Sequence, residues 1–137
     1  MVVVKKKDHT VRICVDYRQL NAISKMDAYP MPRVDDMVDL VGGAHFVSTF
    51  DLTKGYWQVP VRRKDQEKTA FSTPFGLFQF QRMPFGLKGA PATFQRMVDK
   101  LLDDIREFAG AYIDDVIVYS RTWKEHLGHL REVLQRL

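Results

Sequence analysis

Ala109-Gly110-Ala111-Tyr112-Ile113-Asp114-Asp115-Val116-Ile117-Val118 places two adjacent carboxylates between two apolar runs. Short apolar runs on either side of turn-favouring residues predict a β-hairpin with the acids at its tip. The pair has a plain structural explanation, since Asp hydrogen-bonds its own turn and tolerates unusual backbone angles. A third acid shifts the balance. Asp51 follows the strand-like run Phe46-Val47-Ser48-Thr49-Phe50 and leads into Leu52-Thr53-Lys54-Gly55-Tyr56, so three carboxylates can converge on one edge of a sheet.

Such convergence has a chemical use. Hard divalent cations such as Mg2+ take oxygen ligands and keep positions open for substrate phosphates. Two of them, about 3.5–4 Å apart, stabilise both the attacking and the leaving oxygen of an in-line displacement at phosphorus. Without cations or protons the acids repel one another, so a sheet edge that bears this cost points to a function.

Working outward from the acids, Phe50-Asp51-Leu52-Thr53-Lys54-Gly55-Tyr56, the segment from Met83 to Arg96 (MPFGLKGAPATFQR) and Tyr112-Ile113-Asp114-Asp115 resemble, in order and spacing, the core motifs of reverse transcriptases. Val4 to Asp8 (VKKKD), Val11 to Asn21 (VRICVDYRQLN), Tyr29 to Arg33 (YPMPR), Lys68 to Gly76 (KTAFSTPFG) and Glu125 to Arg131 (EHLGHLR) extend the resemblance over essentially the whole chain. It is closest to the gypsy-type LTR retrotransposons, with retroviral enzymes further away.

The resemblance implies an α+β fold: a right-hand polymerase palm, with an antiparallel sheet packed on helices, plus part of the fingers and no thumb. Residues of about 1–45 and 60–85 fall on the fingers side, and about 46–59 and 86–137 in the palm. It also implies roles. Asp51, Asp114 and Asp115 are the expected catalytic acids and ligands of two Mg2+ ions, with Mn2+ a possible substitute. Tyr56 matches the aromatic beneath the incoming sugar that obstructs a 2′-hydroxyl. Lys6 and Arg12 match basic residues that hold the triphosphate, a compact cation and a planar fork of donors. Phe85 and Gly86 match the lining of the nucleotide pocket; many retroviral enzymes carry Gln where this chain has Phe85.

The activity so implied is RNA-directed DNA polymerisation, in which a primer 3′-hydroxyl attacks a deoxynucleoside triphosphate and pyrophosphate leaves. Positioning and charge neutralisation supply most of the rate in such a reaction. The implied partners are an RNA or DNA template with its primer, deoxynucleoside triphosphates, and the thumb, RNase H and integrase regions of a polyprotein. The alternative is a non-catalytic retroelement remnant that keeps the fold and binds nucleic acid or a protein partner. With the palm's further strands absent, a sheet edge and apolar surface are expected to be uncovered.

Composition agrees with these readings. The 137 residues carry 21 basic and 17 acidic side chains, a formal charge of +4. That mild surplus matters where it is concentrated, as in Lys5-Lys6-Lys7 with Arg12 and Arg18; a solvated hairpin edge accounts for the lysines equally well. Arg62-Arg63-Lys64 is followed at once by Asp65 and Glu67, as in an ordinary surface turn. Cys14 is the single cysteine, which rules out an internal disulfide, and no apolar signal segment or membrane span is present. An intracellular, membrane-free location follows as the expectation.

The periodicities place the motifs. Val2-Val3-Val4 and Val11 to Val15 predict a hairpin. Pro91 suits a first helical turn, and Phe94, Met97, Val98, Leu101, Leu102 and Ile105 recur at helical spacing. In the preceding loop, Gly86 and Gly89 allow backbone to approach a ligand closely. Thr122 with Glu125 predicts a capping box. His126 and His129 could present two zinc ligands, but a solvated helix face is the better reading. Phe71, Phe75, Phe78 and Phe80 read as core or hairpin packing rather than a stacking surface for bases.

Overall fold

The computed structural model describes residues 2–5, 9, 11–52 and 54–137; the side chains of Val2, Val4, Arg12 and Ile13 lie outside that description. In chain order the elements are β1 (Val2–Lys5), β2 (Val11–Cys14), α1 (Arg18–Ile23), α2 (Val34–Val41), β3 (Phe46–Asp51), a 3-10 turn (Gly55–Gln58), α3 (Arg63–Gln66), β4 (Phe71–Thr73), β5 (Gly76–Phe78), α4 (Ala90–Leu101), β6 (Ala109–Tyr112), β7 (Asp115–Ser120) and α5 (Trp123–Arg136). Helices and antiparallel strand pairs make this an α+β chain, as expected. It divides into two compact units, Met1–Asp27 with Lys54–Pro91, and Ala28–Thr53 with Ala92–Leu137.

In the first unit β1 and β2 pair antiparallel, Val2 opposite Cys14 and Lys5 opposite Val11, which is the hairpin that the two short β-rich runs predict. β4 and β5 form a second hairpin. The Val59 and Gln81 carbonyls accept from the Met83 and Val61 amides, and Pro60 bridges Arg82. Tyr17 anchors this unit: its ring is buried and its hydroxyl donates to the Thr69 carbonyl at 3.0 Å, while burial pushes the phenol up to about 12.

The second unit is built on a sheet of order β3-β7-β6, all antiparallel. Period-2 alternation sends Val116, Val118, Ala109 and Ala111 to one side, where they are buried. α5 packs on β7 and β3. The capping box forms as predicted: the Thr122 hydroxyl accepts from the Glu125 amide and the Glu125 carboxylate from the Thr122 amide. Of the predicted stripe on α4 and the turn after it, Phe94, Val98, Leu102 and Ile105 are buried whereas Met97 is exposed. The buried line runs through Gln95 instead.

Two expectations change. The histidine face of α5 is not solvated: His126 is buried, its Nε2 is 2.9 Å from the Ser48 hydroxyl and its Nδ1 is 2.9 Å from that of Ser120, which also meets Nδ1 of His129. Two sheet hydroxyls satisfy a ring that a solvated face would have left to water. In the β4–β5 hairpin Phe71 packs on Phe78 and Phe80, but Phe75 is 91 % exposed and Phe78 about half exposed, so core packing does not describe the tip.

The side of the sheet that carries Val47, Thr49 and Ile117 is covered in part by α2, whose Met37 is buried over Gly110. An apolar groove of about 510 Å3 remains between α2 and these strands, lined by Val34, Val38, Val41, Val47 and Ile117 among others. Val34, Val38 and Val47 are exposed there.

Candidate functional site

Strand register brings the acids together. Asp51, the last residue of β3, lies directly opposite Asp115, the first of β7, and Asp115 in turn lies opposite Tyr112 at the end of β6. Directly opposed like charges destabilise an antiparallel pair, yet Asp51 and Asp115 occupy such a position. Asp114 sits in the turn between β6 and β7, and its carbonyl accepts from the Leu52 amide at 2.8 Å. That bond ties the turn to the residue after Asp51.

The electrostatics carry the mark of this crowding. Burial first, and then the Asp51 and Asp115 charges, push the Asp114 carboxyl above its ordinary value. Asp114 is half-buried, while Asp51 and Asp115 are exposed. Among the described residues no group of three or more His, Cys, Asp or Glu side chains is arranged to hold a metal ion. The donor set itself fits a hard divalent cation: oxygen ligands only, on adjacent strand ends, with one acid already disfavouring its charge.

The turn that carries Asp114 is strained. Ile113 has φ +55, a left-handed conformation in which a β-branched residue is a true outlier. What holds it is Gln95, fully buried on α4, whose Oε1 accepts the Ile113 amide at 3.0 Å. Gln95 stands in the sequence only as part of the segment from Met83 to Arg96, with no role of its own. The signal that could have found it is its place at i+1 from Phe94 and i−3 from Val98, within the buried arc of the helix.

The expected nucleotide-pocket residues lie in the first unit. Tyr56 is buried within the 3-10 turn, its ring 5.2 Å from that of Phe85, and Trp57 approaches Phe85 from 6.0 Å. Gly86 has φ +94, which explains a glycine there. Its carbonyl accepts from Asn21 Nδ2, and Asn21 Oδ1 accepts from the Lys88 amide, each at 2.8 Å. Asn21 therefore clamps the loop that the glycines open, a second contribution that the sequence did not single out. Lys6 lies outside the described residues; Arg12 stands opposite Val4 in the β1–β2 ladder, and its side chain lies outside the description.

The model of the family described as reverse transcriptase (RNA-dependent DNA polymerase) matches residues 4–137. The retrovirus-related Pol polyprotein from transposon opus of Drosophila melanogaster is 43% identical over 127 residues, 92% of this chain but only 13% of that protein. An RNA-directed DNA polymerase homolog of Oenothera berteroana is 41% identical over 128 residues, 90% of each chain. Among solved structures, foamy viral protease-reverse transcriptase in complex with double-stranded DNA matches with a TM-score of 0.89 at 29% identity, covering 98% of this chain and 24% of that one. Foamy viral protease-reverse transcriptase in complex with an RNA/DNA hybrid matches with a TM-score of 0.84 at 28% identity, covering 98% of this chain and 18% of that one. The fold is thus a part of a reverse transcriptase polymerase fold, and the chain spans a small fraction of the polyproteins it resembles.

Proposed function

The chain belongs to the reverse transcriptase (RNA-dependent DNA polymerase) family, matched from residue 4 to 137, and from that premise we propose that it carries the catalytic centre of an RNA-directed DNA polymerase. The observation that carries this reading is the opposition of Asp51 and Asp115 across β3 and β7 with Asp114 in the adjoining turn. The fold bears the repulsion of three acids, and a divalent pair would neutralise it.

In this reading Asp51, Asp114 and Asp115 hold two Mg2+ ions, or Mn2+ in their place. Such ions, when bound, neutralise phosphate charge and lower the barrier to displacement at phosphorus. The remaining work belongs to the chain. Tyr56, braced by Phe85, presents an aromatic ring against the sugar and obstructs a 2′-hydroxyl; Gly86 keeps the adjoining backbone open to the nucleotide. Lys6 and Arg12 neutralise the triphosphate. Template, primer and deoxynucleoside triphosphates are the proposed partners, together with the thumb, RNase H and integrase regions of a longer polyprotein. Residues of about 1–45 and 60–85 are proposed to belong to the fingers side, and about 46–59 and 86–137 to the palm. Among the described residues no helix is long and apolar enough to cross a membrane.

Primer extension on an RNA template with Mg2+ tests the proposal, using the chain, its Asp114→Asn variant and a version extended by the further palm and thumb of its family. Incorporation that disappears with Asp114→Asn is the expected result, in the chain or in its extended form. Extension that survives the substitution refutes the site; silence in both forms favours the non-catalytic remnant. Replacing Tyr56 by Val in the active form is expected to admit ribonucleotides, and unchanged sugar selection overturns the role given to its ring.

A further inference from the structure

Gln95 makes three hydrogen bonds from a position with no solvent exposure. Its Nε2 donates to the Ala111 carbonyl and to Oδ1 of Asp99, each at 2.9 Å, while Oε1 accepts from the Ile113 amide at 3.0 Å. A backbone amide can only donate and a carbonyl only accept, so chemistry fixes which end of the side-chain amide faces which group. Oδ2 of Asp99 accepts from the Tyr29 hydroxyl at 2.7 Å. The result is a chain of contacts running from Tyr29 through Asp99 and Gln95 to the backbone on either side of Tyr112.

A buried glutamine is a poor choice for simple packing. Leu would fill similar space without the desolvation of an amide, whose burial is tolerated only because every polar atom finds a partner. The partners are not arbitrary either. Ala111 and Ile113 bracket the point where β6 enters the left-handed residue Ile113, and the acid turn begins there. Moving Ile113 out of φ +55 would swing Asp114 relative to Asp51 and Asp115.

We propose that Gln95, oriented by Asp99 and through it by Tyr29, is the positioning residue of the acid turn, holding Ile113 in its left-handed conformation so that Asp114 faces Asp51 and Asp115 for divalent metal. The inference rests on the metal-site reading above. Gln95 touches no reacting group; it acts through the turn, as outer-shell partners of metal ligands do, whose removal costs about 10–100-fold in metal affinity.

Mn2+ binding to the full 137-residue chain, read by electron paramagnetic resonance of the free ion, is the test, with amide hydrogen exchange at Ile113 as a second readout. Gln95→Leu is expected to weaken Mn2+ binding about tenfold, Asp99→Ala less, and Tyr29→Phe least, with exchange at Ile113 rising in the same order. Ile113→Gly placed on Gln95→Leu is expected to restore much of the affinity, because glycine adopts the left-handed turn without support; a purely structural glutamine would not be rescued this way. Should Gln95→Leu fail to fold, Asp99→Ala decides. Affinity within twofold of the parent together with unchanged exchange at Ile113 overturns the proposal. Asp114→Asn separates the two readings: parent and Asp114→Asn binding Mn2+ alike, or neither binding it, refutes the metal site itself, whereas loss in Asp114→Asn without loss in the Gln95 and Asp99 variants refutes only the positioning role.

Discussion

Among the described residues two hairpins have two-residue loops, and they are made in opposite ways. In the β4–β5 hairpin Thr73 pairs with Gly76 across Pro74 and Phe75. Pro at the second position and Gly at the fourth suit a type I turn, Gly76 takes φ +135, and the Thr73 hydroxyl accepts from the Phe75 amide at 3.1 Å. Local chemistry supplies every part. In the β6–β7 hairpin Tyr112 pairs with Asp115 across Ile113 and Asp114. Positive φ at the first central residue is the pattern for which a type II′ turn takes glycine, and here it falls on isoleucine. A buried side chain from a separate helix supports the second turn. The contrast teaches that one turn obeys local rules, while the turn that breaks them is held from elsewhere, the pattern expected where strain is kept for a function.

The sharpest way to break that contrast is to remove the charge the second turn presents. Asp114→Asn should lower nucleotide incorporation about a thousandfold or more in whichever form of the chain extends a primer, since several kcal/mol of charge stabilisation would be lost. The same substitution should raise the stability of the metal-free chain by about 0.2–1 kcal/mol, the size of a cross-strand charge contact. pH gives the sign independently. The Asp114 carboxyl is held above its ordinary value of 3.8, so the folded chain binds this proton more tightly than the unfolded chain does. Its contribution to stability is therefore complete below the ordinary carboxyl range and lost as pH rises through the raised value. Asp16, held at about 2 by its bonds from Arg18, acts with the opposite sign. The difference in melting temperature between parent and Asp114→Asn, measured in chelator across this range, isolates the first effect. A difference that does not change with pH would falsify the crowding.

How much of this was legible in the sequence follows from the same contrast. The acid hairpin, the capping box at Thr122 and Glu125 and the helix after Pro91 each rest on residues close together in the chain, and each formed as read. The pairing of Asp51 with Asp115 was legible only as convergence at strand ends, because register depends on contacts between distant segments. Gln95 was legible only in its helical place between Phe94 and Val98; its partners were not, because they come from a strand and turn packed against the helix. His126 failed in the same manner, its partners Ser48 and Ser120 being supplied by two strands. Phe75 failed in the reverse direction, as aromatic character predicted burial that the two-residue loop does not permit.

Two exchanges at the turns sharpen the comparison at the level of stability. Gly76→Ala should cost about 1–3 kcal/mol, because a side chain is forced into a conformation open essentially to glycine alone. Ile113→Gly should change metal-free stability by less than about 1 kcal/mol in either direction: relief of the left-handed strain offsets the entropy that glycine loses and the half-buried packing that isoleucine gives up. Denaturant unfolding of both variants gives the values. If Ile113→Gly proved as costly as Gly76→Ala, the isoleucine would be stabilising its turn, and the idea that Gln95 holds it against its preference would fall.

The smallest effect expected is at the tip of the first hairpin. Phe75 is 91 % exposed, so its ring meets nearly as much water in the folded chain as in the unfolded one, and the area term that normally makes an aromatic costly to lose is almost absent. The hydrogen bond it donates to the Thr73 hydroxyl comes from its backbone amide, not its ring, and survives any side chain at position 75 that keeps the same φ. Phe75→Ser should therefore lie within about 0.5 kcal/mol of the parent, the range of surface substitutions that touch no special feature. Serine also hydrogen-bonds readily within turns, which acts in favour of the variant. A loss well beyond that range in denaturant unfolding would mean that the ring is covered in solution. The first hairpin would then depend on contacts beyond its own loop, as the second does.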